Sequence, residues 1–128
     1  MREEKAFYSG EKEMIGIDLI KTERMKRLME KFGDKALARF LSKEEITLVK
    51  SYKTAAGFWA VKEAASKALG VGIGAECSFH DMTITKTKKG APQLEFSQKV
   101  TQQFKIKDTS LSITHDGEYA IAVVAIQN

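Results

Sequence analysis

The chain has 128 residues, 43% of them apolar and 30% charged, with one proline and one cysteine. That is long enough to bury a core without disulfide or metal staples, and the composition excludes a disordered chain as the default. The formal net charge of +4 is uneven: ten Lys or Arg against five acids fall between Lys21 and Lys53, so that segment carries +5 and the remainder −1. Acidic partners should therefore meet the first half of the chain, although sign alone does not choose among nucleic acid, anionic lipid, nucleotide and acidic protein.

No apolar run approaches the roughly 18–20 residues of a membrane span. The start, "MREEKAFYSGEKE", is too polar for a secretory signal. Cys77, the one cysteine, cannot form an intramolecular disulfide. The expectation is a cytoplasmic protein that engages no membrane.

Residues 1–13 read as a polar leader or extension, and residues 14–128 as one domain. "MIGIDLI" (Met14 to Ile20) is short, rich in Ile and bounded by charge, which predicts a buried strand. Asp18 interrupts it, and a carboxylate inside an apolar strand needs a partner or a metal. Thr22 is placed to cap a helix running to about Phe32, which Gly33 ends. Its core stripe is Met25, Leu28, Met29 and Phe32, with Arg24, Arg27 and Lys31 forming an adjacent basic stripe. Ser42 and Glu45 have capping-box spacing, so a second helix starts near Lys43. A third runs from about Ala55 to Leu69 and stops at Gly70.

Beyond it, "VGIGAECSFHD" is a glycine-rich connection, followed by strand-like "MTITKT", a turn holding Pro92, and "QLEFS". "VTQQFKIKD" reads as a short helix or a link. "SLSITH", Asp116-Gly117 and "EYAIAVVAI" form a hairpin with one strongly apolar strand. A strand, three helices and then antiparallel strands define an α+β protein.

On the third helix Val61, Ala64, Ala65, Ala68 and Leu69 make an apolar stripe, while Lys62, Glu63, Ser66 and Lys67 fall together on the other side. A solvated face accounts for that spacing, with a Glu63–Lys67 pair worth only about 0.3–0.5 kcal/mol. A phosphate site accounts for it as well, provided the Asp18 strand packs beside the helix. Two carboxylates, Asp18 and Glu63, would then offer Mg2+ hard oxygen ligands beside substrate phosphates, with the lysines as point charges. His115 ends "LSITH" just before the hairpin turn, whereas His80 has no constellation around it. Gly70, Gly72 and Gly74 follow a helix rather than a strand, which excludes both nucleotide-binding glycine fingerprints. Cys77 has no paired His or acid in a nucleophile motif, so a thiol nucleophile is not the expectation.

Taken together, "GIDLIKTERM", "LSKEE", "FWAVKEAASKALGVGIG" and "SLSITHDGEYAIAVV" resemble, in order and spacing, the holo-[acyl-carrier-protein] synthases, the small 4'-phosphopantetheinyl transferases, over about residues 14–126. The resemblance implies a 4'-phosphopantetheinyl transferase fold, and transfer of 4'-phosphopantetheine from coenzyme A to a serine of acyl carrier protein, with release of adenosine 3',5'-bisphosphate. It further implies Mg2+ on Asp18 and Glu63, Lys67 on the CoA phosphates, and His115 near the nucleotide 3'-phosphate. Ser66, Gly70 and Pro92 match positions lining the CoA site. Arg24, extended by Arg27 and Lys31, matches the face that meets the acidic carrier protein. A homotrimer with intersubunit sites is also implied, as is a place in fatty acid biosynthesis. One departure stands out: several members carry arginine after the glycine equivalent to Gly57, where this chain has Phe58. Either Lys62 or another cation compensates, or CoA is held differently at that phosphate.

A nucleic-acid-binding module is the alternative reading of the +5 segment. It requires stacking aromatics on the basic face. Phe32, Phe40 and Tyr52 are the aromatics available there, and Phe32 belongs to the apolar stripe.

Overall fold

The computed structural model describes residues 13–128, so the expected leader lies outside the described residues apart from Glu13. The first strand, β1 (Glu13–Lys21), alternates strictly: Met14, Gly16, Asp18 and Ile20 point inward, and Ile15, Ile17 and Leu19 point out. It pairs antiparallel with β5 (Tyr119–Gln127), which pairs in turn with β4 (Asp108–Asp116), giving the sheet order β1-β5-β4. Register sets Asp18 opposite Ala122 and His115 opposite Ala120. Gly117, at φ 58°, makes the expected hairpin turn.

Four helices separate β1 from the rest: α1 (Thr22–Phe32), α2 (Asp34–Ala38), α3 (Lys43–Ile46) and α4 (Tyr52–Ala68). Thr22 does not cap α1. It is the first helical residue, and its hydroxyl donates to the Glu118 carbonyl oxygen at 3.1 Å, tying α1 to the β4–β5 turn. The expected α1 core stripe is only partly buried: Met25 is fully enclosed, but Phe32 is 44% exposed. The α3 capping box is present in both directions, Glu45 N to Ser42 Oγ at 3.2 Å and Ser42 N to Glu45 Oε1 at 2.8 Å.

Helix α4 begins three residues before the expected Ala55, with the Ser51 hydroxyl accepting from Lys53 N. It is the core element, lying across the inner face of β1 and β5, where Ala120, Ala122, Val124 and Ile126 are buried with Ala60, Val61, Ala64 and Ala65. A second sheet pairs β2 (Met82–Lys86) with β3 (Pro92–Phe96), preceded by a 3₁₀ turn over Phe79–Asp81. Pro92 is the first residue of β3, opposite Lys86, a place where its missing N–H costs no ladder bond. Helix α5 (Gln98–Phe104) settles the open reading of "VTQQFKIKD" in favour of a short helix for its first half.

The expectation of a buried strand over Met14 to Ile20 holds for one face only. Ile15, Ile17 and Leu19 are 67%, 59% and 55% exposed, and Val123 on β5 is 39% exposed. The apolar run asks for cover on both faces, and the chain by itself provides it on one.

Candidate active site

The approach of β1 to α4 creates the first half of the site. A Cβ on Gly16 would sit on the Ala64 carbonyl oxygen, 2.7 Å from the Ala68 nitrogen and 2.9 Å from the Ala64 carbonyl carbon. Only glycine permits that separation, opposite two alanines one turn apart on the helix. Because side chains repeat at two residues along a strand, Gly16 puts Asp18 on the same face, against the end of α4. There Lys67 Nζ donates to Asp18 Oδ1 at 2.8 Å and to the Ile17 carbonyl oxygen at 3.4 Å. This hydrogen bond holds the Lys67 ammonium above the usual lysine value.

Glu63, one turn before Lys67, sits half-buried beside this pair. Burial lifts its carboxyl above the ordinary carboxylate range, the Asp18 charge lifts it further, and Lys67 and Arg24 oppose the shift. A half-buried carboxyl that carries this penalty beside a second carboxylate suits a cation, since a divalent ion favours the charged form. Among the described residues no cluster of three or more His, Cys, Asp or Glu exists. The donor set therefore suits an ion that completes its shell with water and substrate phosphates, as Mg2+ does.

The four polar residues of α4 are not brought together. Glu63 and Lys67 face the Asp18 side, but Lys62 is fully buried, as is Ser66. Lys62 Nζ donates to Glu45 Oε1 at 2.9 Å and to the carbonyl oxygens of Phe40 at 2.7 Å and Phe79 at 3.1 Å. Desolvation draws its pKa below the lysine value, with Glu45 holding it up in part. An ammonium with all three protons placed in the interior has none left for a ligand, so the expectation that Lys62 helps to hold CoA is corrected. It does not replace the arginine that Phe58 displaces. The Ser66 hydroxyl donates back to the Glu63 carbonyl oxygen at 2.8 Å.

The second half is a cavity of about 210 Å3 lined by Thr54, Gly57, Phe58, Lys86, Pro92, Ile113 and His115. His115 Nε2 donates to the Lys53 carbonyl oxygen at 2.9 Å, since a carbonyl oxygen can only accept, and this bond orients the ring. Gly57 allows β4 this close, since a Cβ there would stand 3.2 Å from Ile113 Cγ2 and 3.5 Å from His115 Nε2. Sequence reasoning missed Lys86. Its signal was the β2–β3 register, which sets it opposite Pro92. Gly70 lies just past α4, with φ 80° and its N–H on the Lys67 carbonyl oxygen.

On the α1 side, Arg24, Arg27 and Lys31 line an open basic groove with Leu19 and Tyr119. Arg24 also borders a pocket of about 330 Å3 floored by Phe40, Trp59 and Phe79 and reached past Leu28 and Phe32. Phe40 is buried there, edge-on to Trp59 with ring centroids 5.2 Å apart, and so is withdrawn from any stacking role with bases. Cys77 is buried, and burial pushes its thiol up to about 11, away from the reactive thiolate.

A carboxylate pair, a lysine beside it and a cavity lined by His115 thus share helix α4 on an α+β scaffold. Residues 14–124 match the model of the 4'-phosphopantetheinyl transferase superfamily. The chain belongs to that superfamily, in its group of holo-[acyl-carrier-protein] synthase enzymes. It is 67% identical over 115 residues to the holo-[acyl-carrier-protein] synthase of Sulfurimonas denitrificans, a match covering 90% of this chain and 95% of that one. The Helicobacter pylori synthase, solved in complex with coenzyme A, superposes with a TM-score of 0.86 at 46% identity, covering 88% of this chain and 99% of that one. The Bacillus anthracis synthase, solved with CoA (3',5'-ADP), gives 0.75 at 34% identity over 89% and 95%. The nucleic-acid alternative gains no support from these relatives.

Proposed function

We propose that the enzyme transfers the 4'-phosphopantetheine of coenzyme A to a serine of apo acyl carrier protein, giving holo carrier protein and adenosine 3',5'-bisphosphate, with Mg2+ held by Asp18 and Glu63. The observation that carries this reading is the meeting of Asp18, Glu63 and Lys67 at the end of the helix whose first half walls the His115 cavity. A bound divalent ion supplies charge withdrawal from the CoA pyrophosphate. Lys67, half-exposed beside Asp18, neutralises a pyrophosphate oxygen. The serine Oγ bonds to the pantetheine-side phosphorus, the bond from that phosphorus to the bridging oxygen breaks, and adenosine 3',5'-bisphosphate leaves. The serine proton passes to the Asp18–Glu63 pair. His115 and Lys86 suit the 3'-phosphate, with Lys86 standing in for the arginine that Phe58 replaces; Pro92 lines the same cavity and Gly70 suits its approach, whereas Ser66, fully buried with its hydroxyl on the Glu63 carbonyl oxygen, touches no ligand.

The direct test is mass spectrometry of apo carrier protein incubated with enzyme, CoA and Mg2+. The expected gain is the phosphopantetheine mass, about 340 Da, abolished by a chelator and restored by added metal. A gain that survives complete chelation would remove the metal from the reaction.

Arg24, Arg27 and Lys31 form the docking face for the acidic carrier. Arg27 is exposed and paired only with Glu23 at 3.3 Å, so Arg27→Glu tests docking alone. The expected result is a several-fold higher KM for the carrier, unchanged kcat, and a weaker salt dependence. Arg24→Glu should lower kcat as well, because Arg24 is one of the charges acting on Glu63.

The uncovered face of Ile15, Ile17, Leu19 and Val123 supports the homotrimer. Ile17→Asp is expected to shift sedimentation from trimer to protomer and to reduce transfer with it, as intersubunit sites require. One buried, unpaired cysteine suits a cytoplasmic enzyme.

A further inference from the structure

Lys62 and Glu45 are the charged side chains among the buried residues, and the chemistry above uses neither. Lys62 places its three protons on Phe40, Glu45 and Phe79. Glu45 is equally occupied: Oε1 also accepts from Ser42 N at 2.8 Å, and Oε2 accepts from Ile84 N at 2.7 Å. Three hydrogen bonds from Lys62 thus tie α4 to the segment after α2, to α3 and to the 3₁₀ turn, and two more on Glu45 extend the network to the α3 N-terminus and to β2.

A buried ion pair is a weak source of net stability, because desolvating both charges cancels most of their attraction. Its distinctive effect is to penalise every other arrangement, since any shift that parts the two leaves a bare charge in the interior. Lys62 directly precedes Glu63, so the rotation of α4 that seats the ammonium also sets the direction of the Glu63 carboxylate. Ile84 stands two residues before Lys86, so the bond to its N–H fixes the strand that carries Lys86 to the His115 cavity. We infer that Lys62 and Glu45 are a positioning pair, which holds α4 and β2 in the one register that joins the carboxylate centre to the His115 cavity. This role rests on the transferase reading.

The test is the double variant Lys62→Met/Glu45→Gln, in which glutamine keeps an acceptor for Ile84 N–H and no bare charge remains. Three quantities are read beside wild type: the thermal midpoint, the Kd for Mn2+ by electron paramagnetic resonance in the presence of CoA, and steady-state transfer. The expected result is a midpoint within a few degrees of wild type, Mn2+ binding at least fivefold weaker, and kcat at least tenfold lower with little change in carrier KM. A folded double variant with wild-type Mn2+ affinity and kcat overturns the inference. Should the double variant not fold, Glu45→Gln alone carries the test: a twofold or larger weakening of both quantities supports the role and wild-type values overturn it. A wild type that neither transfers nor binds Mn2+ overturns the transferase reading itself, whereas an active wild type with unaffected variants overturns the positioning role alone.

Discussion

Glu63→Gln should lower transfer by on the order of 10^2 to 10^3-fold while leaving the fold as stable as wild type or slightly more so. On the proposed mechanism the loss follows from removing one of the two carboxylates that would hold the cation, an interaction that would matter most as charge moves on the pyrophosphate. The stability follows from linkage. Burial and the neighbouring Asp18 raise the Glu63 pKa in the folded protein, so the folded state binds this proton more tightly than the unfolded chain does. For an acid with a raised folded pKa, ionisation costs stability: the penalty is absent below the unfolded value and fully present above the folded one. Above the folded pKa the uncharged amide relieves that penalty, so in chelator the thermal midpoint holds or rises. Calorimetry in chelator, paired with the mass-shift assay in Mg2+, reads both halves. A midpoint lowered by more than about 4 °C would make Glu63 a structural residue instead.

The approach of Asp18 to Glu63 and Lys67 was legible in the sequence. Asp18, Glu63 and Lys67 were readable because each breaks a local pattern: a carboxylate within an apolar strand, and a charge pair on a helix whose other face is alanine. The hairpin and the α3 capping box were readable because their signals are contained within a few residues. Lys62 was misread because its explanation lies 17 residues away in sequence. By spacing it belongs with Glu63 and Lys67, and nothing in the helix reveals that Glu45 and two carbonyl oxygens wait for it inside. Lys86 was missed for the same reason, since a lysine ending a short strand is unremarkable until β2–β3 register and the approach of β4 close a cavity around it. The Ile15, Ile17 and Leu19 face was read as core. The pattern reports that those side chains need cover, but not that the chain's own elements leave them exposed.

Gly16→Ala should be the most disruptive single substitution of a non-ligand. The added methyl has backbone atoms of α4 in front of it, the carbonyl of Ala64 and the nitrogen of Ala68, and neither can rotate aside as a side chain could. Either β1 or the helix must retreat, and α4 is packed along β1 and β5 through Ala60, Val61, Ala64 and Ala65, all fully buried. A cost of about 3 kcal/mol or more is expected, at the upper end of overpacking penalties, with a fall in thermal midpoint on the order of 10 °C. Retreat also lengthens the 2.8 Å bond between Lys67 and Asp18, which stands two residues further along the same face. Transfer by the molecules that remain folded should therefore fall as well, measured well below the midpoint so that unfolding does not account for it. Gly74→Ala is the control. A Cβ there meets nothing within 4 Å and its φ is not positive, so stability should stay within about 0.5 kcal/mol. If Gly16→Ala matched that control, the close contact of β1 with α4 would not be what places Asp18, and the glycine two residues before it would need another explanation.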